Sequence, residues 1–154
     1  MVLLNVDPQV DHEFDPDVVQ ASVGDFVEFR FFPPNHSVVR APYEHPCIPY
    51  EMVETDQEGF SSGFYPVDAI LKDPPVWEIE INDTDPIFYY CSAPGSCINY
   101  GMVGVINPNR STSLSEHRSS AKEADYMLQP GEVCKSFPSY LASPPFTHHL
   151  DSEH

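Results

Sequence analysis

The chain has 154 residues and carries 24 Asp and Glu against 7 Lys and Arg, a formal net charge of −17. That length gives one ordinary domain, or a smaller domain with an extension and a tail. The charge excludes nucleic acid and anionic lipid surfaces as partners, no apolar run reaches the ~18 residues of a membrane span, and seventeen prolines exclude a mainly helical body.

In chain order, Met1 to Val6 is a short apolar segment without a basic start, so no secretory leader is read there. Residues 17–21 form a strand-like run that ends in the turn Val23-Gly24-Asp25. Phe26 to Phe31 alternates apolar with polar or charged residues, as a half-buried strand does. The segment 40–75 mixes Pro, Gly, acids and aromatics without a period and reads as long loops with one short helix. Val76 to Ile81 alternates again, with Val76 facing opposite to Trp77, Ile79 and Ile81. Ile87 to Cys91 and Met102 to Ile106 complete the set. Short strands separated by turns predict an all-β antiparallel sandwich or barrel.

After Pro108 the pattern changes. Ser113-Leu114-Ser115-Glu116 is a capping box. Leu114, His117, Ala121, Ala124 and Leu128 then share one helical face until Pro130-Gly131 stops it. The expected organisation is a domain over 1–108, a helical extension over 109–131 packed on it, and a loosely ordered tail over 132–154.

The residues that carry chemistry sit mainly in PIFYYCSAPGSCINYGMVGVINP, residues 86–108. An apolar strand delivers Cys91 into a Pro/Gly turn that Cys97 closes, and Met102 opens the next strand. Thiol and thioether on adjacent strands make half of a soft-metal site, and Asn35-His36-Ser37-Val38 supplies an imidazole. Blue-copper centres combine two imidazoles, one thiolate and a weak axial thioether. Here a second histidine is expected near Ser96 and is absent.

Other histidines are poorer candidates. His45 sits beside Pro46 and Cys47, His148 and His149 lie in the tail, and His12 has no evident partner. Four cysteines allow three fully paired connectivities, and Cys91–Cys97 pairing would abolish the thiolate. Paired His-x-His motifs, a nucleophile elbow, a phosphate loop and a dinucleotide fingerprint are all absent, and the carboxylates are scattered, so no enzyme is expected. Sequons at Asn35, Asn82 and Asn109 are compatible with secretion.

Gly24-Asp25-x-Val27-Glu28-Phe29, Asn35-His36-Ser37-Val38, Ser62-Gly63-Phe64, Ile81-Asn82-Asp83-Thr84, Tyr90-Cys91, Cys97 and Gly101-Met102-Val103 together resemble the extracellular cupredoxin-like proteins of fungi, relatives of plant phytocyanins. The resemblance covers about residues 2–108, and Ala124 to Glu132 resembles the downstream extension of that family. It implies a Greek-key cupredoxin sandwich, an extracellular location, and copper binding or electron transfer as the ancestral role. It also implies a Cys47–Cys97 disulfide that pins the 40–75 loop over the site and leaves Cys134 unpaired.

The family pattern places a histidine where Ser96 stands, and the Cys97-to-Met102 interval is one residue longer than usual. The remaining set, His36, Cys91 and Met102, has one nitrogen and two sulfur donors. It implies a copper site that is Cu(I)-biased or lost. The expected protein is a monomer with a redox or cell-surface partner. The rival reading is a copper-free cell-surface or cell-wall module whose Tyr43, Tyr50, Phe60, Phe64 and Tyr65 form a binding patch.

Overall fold

A computed structural model describes residues 1–132. The expected loose tail, with Cys134, His148 and His149, lies outside the described residues apart from Glu132.

Among the described residues ten strands occur in chain order: β1 Val2–Val6, β2 Phe14–Asp15, β3 Val18–Val19, β4 Phe26–Phe31, β5 Asn35–His36, β6 Val39–Ala41, β7 Tyr65–Pro66, β8 Val76–Glu80, β9 Ile87–Tyr90 and β10 Val103–Ile106. Helix α1 (Ser96–Tyr100) lies between β9 and β10, and α2 (Leu114–Glu123) follows β10. One sheet has the order β2-β1-β4-β8, the other β3-β10-β9-β6, and β5 pairs with β7. Packed face to face, the two four-stranded sheets make a Greek-key sandwich.

The alternation read from sequence sets the core. Val27, Phe29 and Phe31 of β4 are buried while their neighbours are partly or well exposed. They meet Leu4 and Val6 of β1 and Tyr89 of β9 between the sheets. Tyr89 takes Phe14 and Phe29 edge-on, with ring centroids 4.9 and 5.4 Å away. Opposite Tyr89 on β10 stands Gly104, where an added Cβ would lie 2.5 Å from the phenol ring. Only glycine admits that ring there.

Not every pairing is antiparallel. β1 runs parallel to β4, and β3 parallel to β10. After β1 the chain pairs back through β2 and crosses to the second sheet as β3 before returning as β4. A parallel pairing requires such a crossover.

The second sheet is covered on both faces. Tyr90 and Val103 point away from the sandwich interior into a second cluster with Val39, Ala41, Cys47, Cys97 and Ala121. α2 supplies Ala121 and packs on α1 and β10. Ser113 caps α2 by accepting from the Glu116 amide at 3.2 Å. The return half of the expected capping box is replaced: Glu116 accepts from the Tyr43 hydroxyl, which itself accepts from the Ser113 amide.

The helix ends at Glu123, short of the expected Leu128, because Ala124 turns extended. The chain from there spends its backbone on tertiary bonds. The Leu128 amide donates to Cys47 O at 2.9 Å, and Leu128 O accepts from the Tyr90 hydroxyl at 2.6 Å. His117, on the expected apolar stripe, is 1% exposed and packs between Phe88 and Tyr43.

Candidate metal centre

The strand β4 ends at Phe31, and the turn through Pro33-Pro34 delivers β5 with His36 buried at its end. Cys91 follows β9 directly. Its amide donates to Met102 O at 3.1 Å, and the Met102 amide donates to Ser96 O at 3.0 Å. The backbone thus locks Cys91, Ser96 and Met102 around one turn. The intervening α1 has only five residues and is held between Gly95 (φ 82°) and Gly101 (φ 65°), both left-handed. An added Cβ at Gly101 would meet Arg118 Cγ at 2.7 Å. The guanidinium of Arg118 fastens the loop to α2 through the Gly101 and Val103 carbonyls and Asp17.

Two distant donors meet. His36 Nδ1 lies 3.6 Å from Cys91 Sγ, and both residues are buried. Two donors on one first-row ion, at bond lengths of about 2.0 and 2.3 Å, are spaced in this way, so the pair fits a shared metal ion. Met102 is buried in the same core cluster as Cys91. Ser96, where the resemblance implies a second imidazole, is buried, and its side chain acts to lower the Cys91 pKa. The Ser37 amide donates to the Cys91 sulfur at 3.5 Å. Ser37 and Ser92 hydroxyls meet at 2.7 Å and tie β5 to the end of β9.

Behind the imidazole stands Asp7, fully buried. His36 Nε2 has two acceptors beside it, Pro33 O at 3.3 Å and Asp7 Oδ2 at 3.0 Å. The shorter contact lies off the N–H axis, so the directed bond goes to Pro33 and Oδ2 keeps no directed hydrogen bond. With acceptors around Nε2, the ring proton belongs there and the Nδ1 lone pair faces the thiol. Asp7 is on the far side of the ring from Cys91. Among the described residues no three of His, Cys, Asp and Glu are grouped to hold a metal ion.

Burial lowers the pKa of His36 below the usual histidine value, against the opposing charge of Asp7 and the Pro33 bond. Burial thus favours the neutral imidazole, the form with a lone pair to donate. Burial raises the pKa of Cys91, while hydrogen bonds from the Ser37 and Ala93 amides and the Ser96 and Ser37 side chains pull it back. A thiolate at this place needs a cation beside it.

Cys47 and Cys97 form a disulfide, with Cα atoms 5.7 Å apart, and Cys91 is a free buried thiol. Pairing of Cys91 with Cys97 is thereby excluded. His45 is exposed, outside the buried group around His36.

The aromatic patch does not form. Tyr65 stacks on Phe31 at 4.2 Å, Phe60 packs on Trp77, Tyr43 packs on Phe88, and Tyr50 lies beneath Arg40 at 3.9 Å. Of the five, only Phe64 is exposed, at 39%. These rings fill the loop core, because the long 40–75 segment has little else to bury.

His12, without a partner in the sequence reading, stacks on Tyr100 of α1 with centroids 3.8 Å apart. Asp7, Ser37 and Ser92 were also missed. Their signal is weak in the sequence, since a lone Asp before a proline 29 residues from the histidine looks like any turn.

No family model matches the chain. It is 30% identical over 121 residues to the "Probable GPI-anchored cupredoxin-1" of Arthroderma benhamiae, covering 78% of this chain and 58% of that protein. It is 32% identical over 123 residues to the "Extracellular serine-rich protein" of the same fungus, covering 79% and 45%. The chain thus spans about half the length of the curated relatives it matches. Among solved structures, the oxidized plastocyanin of Dryopteris crassirhizoma shares 22% identity at a TM-score of 0.46, covering 68% of this chain and 97% of that one. The purple cupredoxin of Nitrosopumilus maritimus shares 14% at 0.45, covering 69% and 97%. Among the described residues no helix is long and apolar enough to cross a membrane. By its sequence likeness and its sandwich architecture, the chain is a cupredoxin-like protein of the kind found in fungi.

Proposed function

We propose that this protein binds one copper ion as Cu(I) through His36, Cys91 and Met102, as an extracellular or cell-surface copper binder descended from electron carriers. The observation that carries this reading is the 3.6 Å approach of His36 Nδ1 to Cys91 Sγ inside a buried, hydrogen-bonded pocket. One nitrogen and two sulfur donors favour the softer Cu(I). Copper would supply the positive charge that stabilises the Cys91 thiolate. The protein's own residues hold the rest: the Ser37 amide donates to the sulfur, Pro33 and Asp7 orient the imidazole, and burial excludes water.

With one strong nitrogen donor replaced by the Ser96 hydroxyl, the oxidised state loses most. The site is thus a copper store or chaperone-like acceptor more than a fast carrier, and not an enzyme. The working unit is residues 1–108 with the 109–131 extension packed on it, acting as a monomer. The strong negative charge suits a cationic redox or cell-surface partner.

Titration of the reduced protein with Cu(I) against a competing chelator tests this. One equivalent bound is the expected result, lost in Cys91→Ser. Absence of stoichiometric binding overturns the reading.

A further inference from the structure

We propose that Asp7 is a positioning residue for the His36–Cys91 pair: its buried carboxylate keeps the His36 proton on Nε2 and so keeps the Nδ1 lone pair facing the thiol. This inference rests on the donor pair of the proposed copper site, although its first readout needs no metal.

The geometry of Asp7 is built for one orientation. Its Oδ1 accepts from the backbone amides of Asp11 and His12, both at 2.7 Å. Its Oδ2 is left facing His36 Nε2 at 3.0 Å. Asp7 itself adopts φ 58°, a left-handed conformation that Asp and Asn tolerate better than other side-chain-bearing residues. The loop it anchors is held from the other side. The Asp7 amide donates to Glu13 O at 2.7 Å, and the His12 ring is stacked on Tyr100 of the ligand loop's helix. The carboxylate is therefore fixed with respect to both β5 and the turn that carries Ser96.

A buried carboxylate oxygen without a directed hydrogen bond is unfavourable unless a proton donor or positive charge lies beside it. The Nε2–H is the donor at hand. Carboxylates and carbonyls behind a ligating imidazole fix its tautomer and raise its donor strength. Pro33 O and Asp7 Oδ2 fill those two places here.

Asp7→Asn is a sharp probe, since the new amide cannot be accommodated either way round. The amides of Asp11 and His12 demand an oxygen at the Oδ1 place, so the new NH2 group must face His36. An N–H donor then opposes the Nε2–H. The ring relieves this by giving up its bond to Pro33 O, moving its proton to Nδ1 and turning Nε2 to accept from Asn. Nδ1 then carries hydrogen toward Cys91 and has no lone pair for a metal.

The test is 15N NMR of the His36 ring in metal-free protein near neutral pH, combined with Cu(I) competition in both proteins. In the wild type, Nε2 is expected to bear the proton and Nδ1 to be bare. In Asp7→Asn the pattern is expected to invert, with Cu(I) affinity reduced by roughly 10–100-fold. A wild-type ring protonated on Nδ1 overturns the proposal, whether or not the variant folds. So does a folded variant that keeps the wild-type tautomer. Inversion of the tautomer in a protein that binds no copper supports the role of Asp7 and removes the copper reading alone. Copper bound equally by both proteins, with the tautomer unchanged, removes Asp7 alone.

Discussion

At the scale of single residues, the copper reading turns on Ser96. Its buried side chain acts on the Cys91 thiol from the place where the resemblance implies a second imidazole. A hydroxyl hydrogen-bonds a thiolate well but is a poor ligand for a soft ion. Restoring the donor with Ser96→His is expected to generate the intense thiolate-to-copper colour on addition of Cu(II), with the wild type colourless under the same conditions. A colourless variant would locate the defect in the spacing of α1 instead of in the lost donor. His36, Cys91 and the absence of a neighbouring histidine were legible in the sequence because each sits in a recognisable strand-and-turn context. Asp7 was not. Its role depends on a left-handed turn and a cross-sheet approach to His36, which no local pattern encodes.

At the scale of elements, the ligand loop depends on crosslinks as much as on its own sequence. The disulfide from Cys97 reaches Cys47 across 50 residues and clamps the 40–75 segment beside the loop. In the chain-entropy description, closing a loop of that length stabilises by about 4 kcal/mol. Replacing both cysteines by alanine is expected to lower the unfolding free energy in urea by about that amount, and a loss below about 1 kcal/mol would contradict it. The strands β4 and β8 follow the period-two pattern read from the sequence, whereas β9 and β10 are mostly or wholly buried along their length. The helix α1 has no pattern to follow, because five residues are too few to show a period, and its only sequence signals are the glycines at each end. α2 began where the capping box placed it and ended early. Leu128, although in phase with the helical stripe, contributes more by bonding to Cys47 and Tyr90 than by continuing the helix.

At the scale of the whole molecule, stability and pH are linked through a second buried imidazole, packed between Phe88 and Tyr43. Burial lowers the pKa of His117 from 6.5 to about 4, against a bond from Nδ1 to Tyr43 O, and its Nε2 has no hydrogen-bond partner. The unfolded chain takes up this proton near pH 6.5, and the folded chain only near pH 4. Stability contributed by the neutral ring is therefore fully present above pH 6.5 and falls as the pH drops toward 4, by about 3 kcal/mol at most. His36 is shifted in the same direction and adds to the trend. Urea unfolding between pH 7 and 4 checks this. The slope is expected to be shallower in His117→Phe, and an equal slope in the two proteins would contradict the assignment.

The sandwich itself was legible from alternation and turns. Its parallel pairings were not, because strand order depends on a crossover that neither strand records. The placement of the large aromatics was equally hidden, since a ring that plugs a loop and a ring that binds a ligand look alike in a sequence. What the fold achieves as a whole is to bring His36 against Cys91 and to bury Met102 in the same core as Cys91; the copper reading requires all three to converge on one ion.

X-ray absorption of the Cu(I)-loaded protein measures that convergence most directly. The account predicts a low-coordinate copper with one nitrogen and two sulfur neighbours, losing one sulfur in Met102→Leu. A shell of nitrogen and oxygen alone, or a copper that keeps its spectrum when His36 or Cys91 is replaced, would contradict it.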